Sequence, residues 1–160
     1  MKVNKHKPHV LLLPEDDDNR QLANGFCLSL PESTNIKILP LADGWMEVFD
    51  VFESREISGM RAYSERFMVL LIDFDNHLDR IDYAKRKIPH DLENRVFILG
   101  SLIEPKDLKR AGLGTLEEIG SSLAKDCREG TDTVWGHDLL RHNATELERL
   151  RAYVRPILFV

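Results

Sequence analysis

Two carboxylates set two residues apart, Asp73 and Asp75, close the wholly apolar run Met68-Val-Leu-Leu-Ile72. An earlier apolar run, His9 to Leu13 with Pro14 behind it, ends in Glu15-Asp-Asp-Asp18. Like charges that converge need a cation or a proton between them. Carboxylates from the two runs would form an oxygen-rich site of the kind that Mg²⁺ occupies, with waters and a substrate phosphate completing its shell. An ion held there can orient a phosphodiester and neutralise the charge that develops on it. The plainer role for acids after a strand is to cap the next helix or to face solvent in a turn, and Asp16 and Asp17 suit that role.

Such a site requires the two runs to be neighbouring strands. A short apolar run bounded by polar residues reads as a strand buried on both faces, as in the middle of a parallel sheet. Ligands bind such sheets outside the carboxyl ends of the strands. Alternation along an extended chain would point Asp73 and Asp75 to one side. Between the runs, Leu22, Ala23, Phe26, Cys27 and Leu30 share a helical face, and Ile36 to Leu39 make a second strand. Ala42-Asp-Gly44 turns into a helix carrying Trp45, Val48, Phe49 and Phe52, with Gly59 as a break further on. The third strand, 68–73, is followed by a helix over 77–86 and a fourth strand from Arg95 to Leu99. Thr115-Leu-Glu-Glu118 is a capping box, and Asn143-Ala-Thr-Glu146 opens a last helix with Leu147, Leu150 and Val154 inward. Residues 155–160 read as a final edge strand with Pro156 near its start. The expected fold is therefore a layered α/β domain, with a mostly parallel central sheet of four to five strands and helices on both faces. It is a single domain over 1–160, with a core at 9–101, a helical extension at 102–154 and a loose arm at 1–7.

At 160 residues and 42% hydrophobic, the chain can bury a full core. No segment approaches the roughly 20 apolar residues of a membrane helix, and the N-terminus lacks the apolar core and cleavage site of a signal peptide. Cys27 and Cys127 fall on apolar helix faces, which points to free thiols in a reducing, cytoplasmic compartment. The net charge of −5 gives no global pull on nucleic acid and counts against a stand-alone DNA binder.

The order apolar strand, Glu15, helix, strand, helix, apolar strand, Asp73-Phe-Asp75 resembles the Toprim domain of topoisomerases, primases and the small nucleases of the overcoming-lysogenization-defect family. The resemblance spans roughly residues 9–101. It implies Mg²⁺ or Mn²⁺ held by Glu15, Asp73 and Asp75, with Asp18 as a helper. Glu15 would be the general acid or base of phosphodiester cleavage. Gly44-Trp45 and Arg80 are similar to what small stand-alone Toprim proteins carry, and Arg80 is a candidate substrate contact. Asp16 follows Glu15 where that family often has glycine. The implied function is a metal-dependent nuclease, or nuclease subunit, acting on nucleic acid (DNA foremost) with a protein partner or as a homo-oligomer.

A second resemblance competes. Leu12-Leu-Pro-Glu-Asp-Asp-Asp-Asn-Arg-Gln-Leu22 is similar to the opening of response-regulator receiver domains. There Asp73 would accept a phosphoryl group and Ser101 would be the hydroxyl after the fourth strand. No Lys-Pro follows a fifth strand, the spacing from Asp17 to Asp73 is long for a receiver, and Asp75 has no task in that scheme. The Toprim-like reading is preferred on those grounds. Near the C-terminus, Arg141 with His142 or His137 either reaches the acids to contact phosphate and move a proton, or is structural. In the structural case Asn143 caps the last helix while His137 and Trp135 close the core.

Overall fold

The computed structural model describes residues 2–159. Strands β1 (His9–Pro14), β2 (Ile36–Ile38), β3 (Arg66–Leu71) and β4 (Val96–Leu99) form one all-parallel sheet in the order β2-β1-β3-β4. The strands alternate with helices α1 (Asp17–Leu28), α2 (Trp45–Val51), α3 (Ile57–Ala62) and α4 (Arg80–Lys87). Helices α5 (Pro105–Arg110), α6 (Leu116–Glu129) and α7 (Ala144–Leu158) complete the chain. The layered α/β expectation holds, with four strands and a helical last third.

Alternation along the strands divides the apolar residues between two cores. Val10, Leu12, Val69, Phe97 and Leu99 face α1, α6 and α7. Leu11, Leu13, Met68, Leu70 and Ile98 face the layer of α2, α3 and α4. Crossovers between parallel strands are right-handed, so the chain winds one way from β1 to β2 and the other way from β2 across to β3. The reversal falls between β1 and β3, where doubly wound sheets leave a crevice at their carboxyl edge. Glu15 and Asp73 follow those two strands.

Several local expectations shift. The chain from Phe52 to Glu56 is a π-helical turn that runs directly into α3, and Gly59 lies inside α3 rather than breaking it. The N-terminal arm is tied down, because Asn4 and Asn35 exchange hydrogen bonds of 2.8 Å. The edge strand expected at 155–160 is absent among the described residues, and Val160 lies outside them. Leu147, Leu150, Val154 and Leu158 keep the helical period and are all buried, so α7 continues through Pro156 to Leu158.

Side chains do the work of that missing strand. The backbone groups of β4 that face away from β3 belong to Val96, Ile98 and Gly100. Glu146 Oε1 accepts from the Ile98 amide at 3.2 Å, and Asn143 Oδ1 accepts from the Gly100 amide at 3.1 Å. Asn143 Nδ2 and His142 Nε2 donate to the Gly100 carbonyl at 2.9 and 2.8 Å. Buried Glu146 is in turn neutralised by Lys85 and Arg149. An exposed sheet edge is a template for aggregation, and here α7 and the turn before it cover it. Asn143 is thereby used up, and its side chain does not cap α7.

On the same face of the sheet as α7, α1 and α6 cross with almost no separation. A Cβ on Gly120 would overlap the Leu22 carbonyl, and one on Gly25 would overlap the Glu117 carbonyl. Alanine inside a free helix is stabilising relative to glycine, so the sign of Gly120→Ala reports the contact. We expect Gly120→Ala to cost about 2–3 kcal/mol through overpacking, a fall in Tm of roughly 4–12 °C for a domain of this size. A circular-dichroism melt that matched or exceeded the parent would contradict the close crossing.

Candidate metal centre

The residue that builds the site is Asp16, as the N-cap of α1. Its backbone is extended (φ −147°, ψ −175°), and its Oδ1 accepts from the Asn19 amide at 3.0 Å, the usual side-chain closure of a helix N-terminus. That capping turn also buries the Asn19 side chain. Its Nδ2 donates to Asp16 Oδ1 at 2.9 Å and to Asp73 Oδ1 at 2.8 Å, one hydrogen to each. Asn19 thus clamps two carboxylates that are 57 residues apart in the chain, drawing one from each side of the switch point.

Glu15 is set by backbone on both sides. Its amide continues the β1–β3 ladder to the Leu71 carbonyl at 2.9 Å, and its carbonyl accepts from Asp43 at 2.7 Å and Gly44 at 3.2 Å. The second contact needs a left-handed turn, with Asp43 at φ 68° and Gly44 at φ 141°, the latter a conformation that suits glycine. The Glu15 carboxylate then folds back to accept from the Asp73 amide at 3.3 Å. One carboxylate oxygen from each of Glu15, Asp16 and Asp73 lies within 4.8 Å of the others.

Glu15 and Asp73 are buried, with 7% and 8% of their surface exposed. No lysine or arginine side chain pairs with either carboxylate among the described residues. Burial first, and then the neighbouring Asp73 charge, pushes the Glu15 carboxyl up to about 8. Burial also pushes Asp73 up to about 6; the Asn19 hydrogen bond opposes that rise and the Asp16 charge adds to it. An all-oxygen donor set short of a counter-charge fits a hard divalent cation such as Mg²⁺ or Mn²⁺.

Asp75 does not join this group. Strand β3 ends at Leu71, so the alternation expected to align Asp75 with Asp73 no longer applies. Asp75 and Asn76 adopt positive φ (48° and 61°), and the Asp75 side chain stands 63% exposed beside Arg80. Asp18 lies in the first turn of α1, outside the three-carboxylate cluster, whereas Asp16, expected to cap the helix or face solvent, is in the cluster while also capping. Arg80 is engaged by the protein itself. Its Nη1 donates to the Asp73 carbonyl at 2.6 Å, and its guanidinium lies 4.3 Å from the Trp45 ring centre.

Ser101 is buried just after β4, its hydroxyl held only by a long 3.4 Å contact to the Ile103 carbonyl. Arg141 points to solvent and pairs with Asp138. His142 is spent on the Gly100 carbonyl and packs edge-on to Phe74 at 5.0 Å, which supports the site without entering it. His137 accepts from the Leu139 amide, and Trp135 Nε1 donates to the Leu123 carbonyl, so both stay structural. Both cysteines are free, and no helix of the described residues is long and apolar enough to cross a membrane. Asn19 was the residue that sequence reasoning missed. The spacing Asp16 to Asn19 signals a cap, but nothing in it foretells that the same amide reaches Asp73.

The raised carboxyl values carry a pH signature. An acid that holds its proton more tightly when folded makes stability fall as pH rises, from the ordinary carboxylate range up to the folded value. His9 and His142, lowered chiefly by burial, have the opposite sign, but their contribution is complete near the ordinary imidazole value of about 6.5. Between about pH 7 and 8 the slope therefore belongs to Glu15. The Tm of the metal-free protein should drop across that interval, added Mg²⁺ should abolish the drop, and Glu15→Gln should flatten it. A metal-free Tm that rises or stays level there would refute the assignment.

No protein-family model, no curated protein and no solved structure matches the chain.

Proposed function

We propose that the protein is a receiver-like signalling domain in which Asp73 accepts a phosphoryl group with the help of a divalent cation at Glu15, Asp16 and Asp73. The observation that carries this reading is the solitary position of Asp73. It is the one carboxylate after β3 that faces the acids after β1, while Asp75 is turned out to solvent. The nuclease expectation asks Glu15, Asp73 and Asp75 to converge on one ion, and that triad is not assembled. Strand order is consistent with the same choice, since Asp73 follows β3 at the β1/β3 crevice and Ser101 lies just after the neighbouring β4.

The ion, when bound, would neutralise charge on the entering phosphate and on the carboxylates around it. Asn19 holds Asp73 Oδ1, which leaves Oδ2 as the oxygen we assign to attack on phosphorus. The new bond joins Oδ2 to phosphorus; the bond from phosphorus to the donor's leaving oxygen breaks, and the leaving group departs with that electron pair. Ser101, with a hydroxyl only weakly engaged, would donate to a phosphoryl oxygen. No basic side chain reaches the acceptor carboxylate among the described residues, so the charge of the transferred group rests on the ion alone. Phosphorylation should therefore depend steeply on metal. In a chain of net charge −5, output through protein contact is favoured over contact with nucleic acid.

Incubation with acetyl phosphate and Mg²⁺, followed by intact-protein mass spectrometry, tests the proposal. We expect the mass of one added phosphoryl group in the parent and in Asp75→Asn, and none in Asp73→Asn or when metal is chelated. Plasmid nicked by the parent with Mg²⁺ or Mn²⁺, and not by Asp73→Asn, without phosphoryl uptake, would overturn it in favour of the nuclease.

A further inference from the structure

Among the described residues, Arg80 is the cation that touches both the acceptor segment and a surface cleft. Its side chain is only 15% exposed, although it lies on a rim of charged loops. On one side Nη1 donates to the Asp73 carbonyl at 2.6 Å, and Nη2 stands 3.7 Å from Asp75. On the other the guanidinium covers the face of Trp45 at 4.3 Å. Trp45 in turn meets Tyr83 edge-to-face at 5.1 Å, and both rings meet the buried Phe49 at 6.2 and 5.7 Å. Trp45, Tyr83 and Arg80 line an open cleft of about 530 Å³ with His77 and Arg86.

The segment between the acceptor and Arg80 contains the two consecutive left-handed residues Asp75 and Asn76. Conformations of that kind persist only where the surroundings hold them, and they cluster at switch segments. Here the holding contacts include the Arg80 fork on the Asp73 carbonyl and on Asp75. A change of charge at the Asp73 carboxylate alters what its main chain and Asp75 offer to Arg80. A guanidinium stacked on an aromatic face cannot shift at one end without shifting at the other.

We propose that Arg80 is a positioning residue for Asp73 and couples the state of the acidic pocket to the Trp45–Tyr83 cleft. The coupling rests on the reading that the pocket takes a divalent ion. The two are separable because ion binding can be followed without Trp45. The chain has two tryptophans, so 5-fluorotryptophan labelling of the full protein gives two ¹⁹F resonances, assigned with Trp45→Phe.

Mg²⁺ titration of the parent should move the Trp45 resonance saturably, with the midpoint seen for the Mg²⁺-dependent rise in Tm. In Arg80→Gln the rise in Tm should remain and the Trp45 shift should be lost. Arg80→Lys, which keeps the charge but not the planar fork, should restore little of it. A Trp45 resonance that stays put in the parent while Mg²⁺ raises Tm overturns the coupling and leaves the metal site intact. An equal shift in parent and Arg80→Gln also overturns it. If Mg²⁺ changes neither signal, the metal site and the coupling both fail.

Discussion

Two buried carboxylates, Glu15 and Asp73, face each other across the β1/β3 crevice with no cationic side chain against either among the described residues, and the rest of the acidic edge follows from that confrontation. Removing charge from water without a partner is costly, and the usual response is to hold a proton. The raised carboxyl values of both residues are that response in the metal-free chain. What keeps the acids together is neutral: the Asn19 amide between Asp16 and Asp73, and the Asp73 amide on Glu15. Neutral donors orient carboxylates without cancelling their charge, which leaves the attraction for a cation undiminished.

The scaffold around this confrontation is stiff where it must be. The all-parallel ladder fixes the ends of β1 and β3 side by side. The left-handed turn at Asp43 and Gly44 holds the Glu15 carbonyl, and the close α1–α6 crossing fixes the helix whose N-terminus carries Asp16 and Asn19. At the far edge of the sheet, Glu146, Asn143 and His142 satisfy β4 in place of a fifth strand. That substitution bears on function. In the receiver-like reading a lysine after a fifth strand would share the charge of the phosphoryl group, and this chain has committed that edge to α7. In that reading a bound ion would be the positive charge nearest the acceptor carboxylate, with Arg80 on the Asp73 main chain.

Much of this was legible in the sequence because it depends on patterns that are local. The apolar runs at 9–13 and 68–72, the helical stripes and the Thr115 capping box each declare their element within a dozen residues, and parallel pairing follows from strands that alternate with helices. That Glu15 and Asp73 meet at the carboxyl edge of the sheet was legible for the same reason, since both close apolar strands. Asp75 was misplaced because the periodicity argument was carried past the point where the chain stops being extended. Asp and Asn are the non-glycine residues that most readily adopt a left-handed backbone and are uncommon in strands, so the Asp75-Asn76 step carried a turn signal that the alternation argument overrode. The clamp by Asn19 and the covering of β4 by Glu146 and Asn143 depend on contacts between residues 43 to 54 apart in sequence. Single-sequence reasoning has no purchase on those. The C-terminal residues illustrate competition between cues: Pro156 argued for an edge strand, and four buried residues at helical spacing outweighed it.

The most direct test of the account is where a divalent ion sits. Crystals of the protein equilibrated with Mn²⁺ and measured at a wavelength sensitive to manganese should give one anomalous peak, about 2.0–2.3 Å from carboxylate oxygens of Glu15, Asp16 and Asp73. No peak in that pocket, or a peak held instead by Asp75, would contradict it.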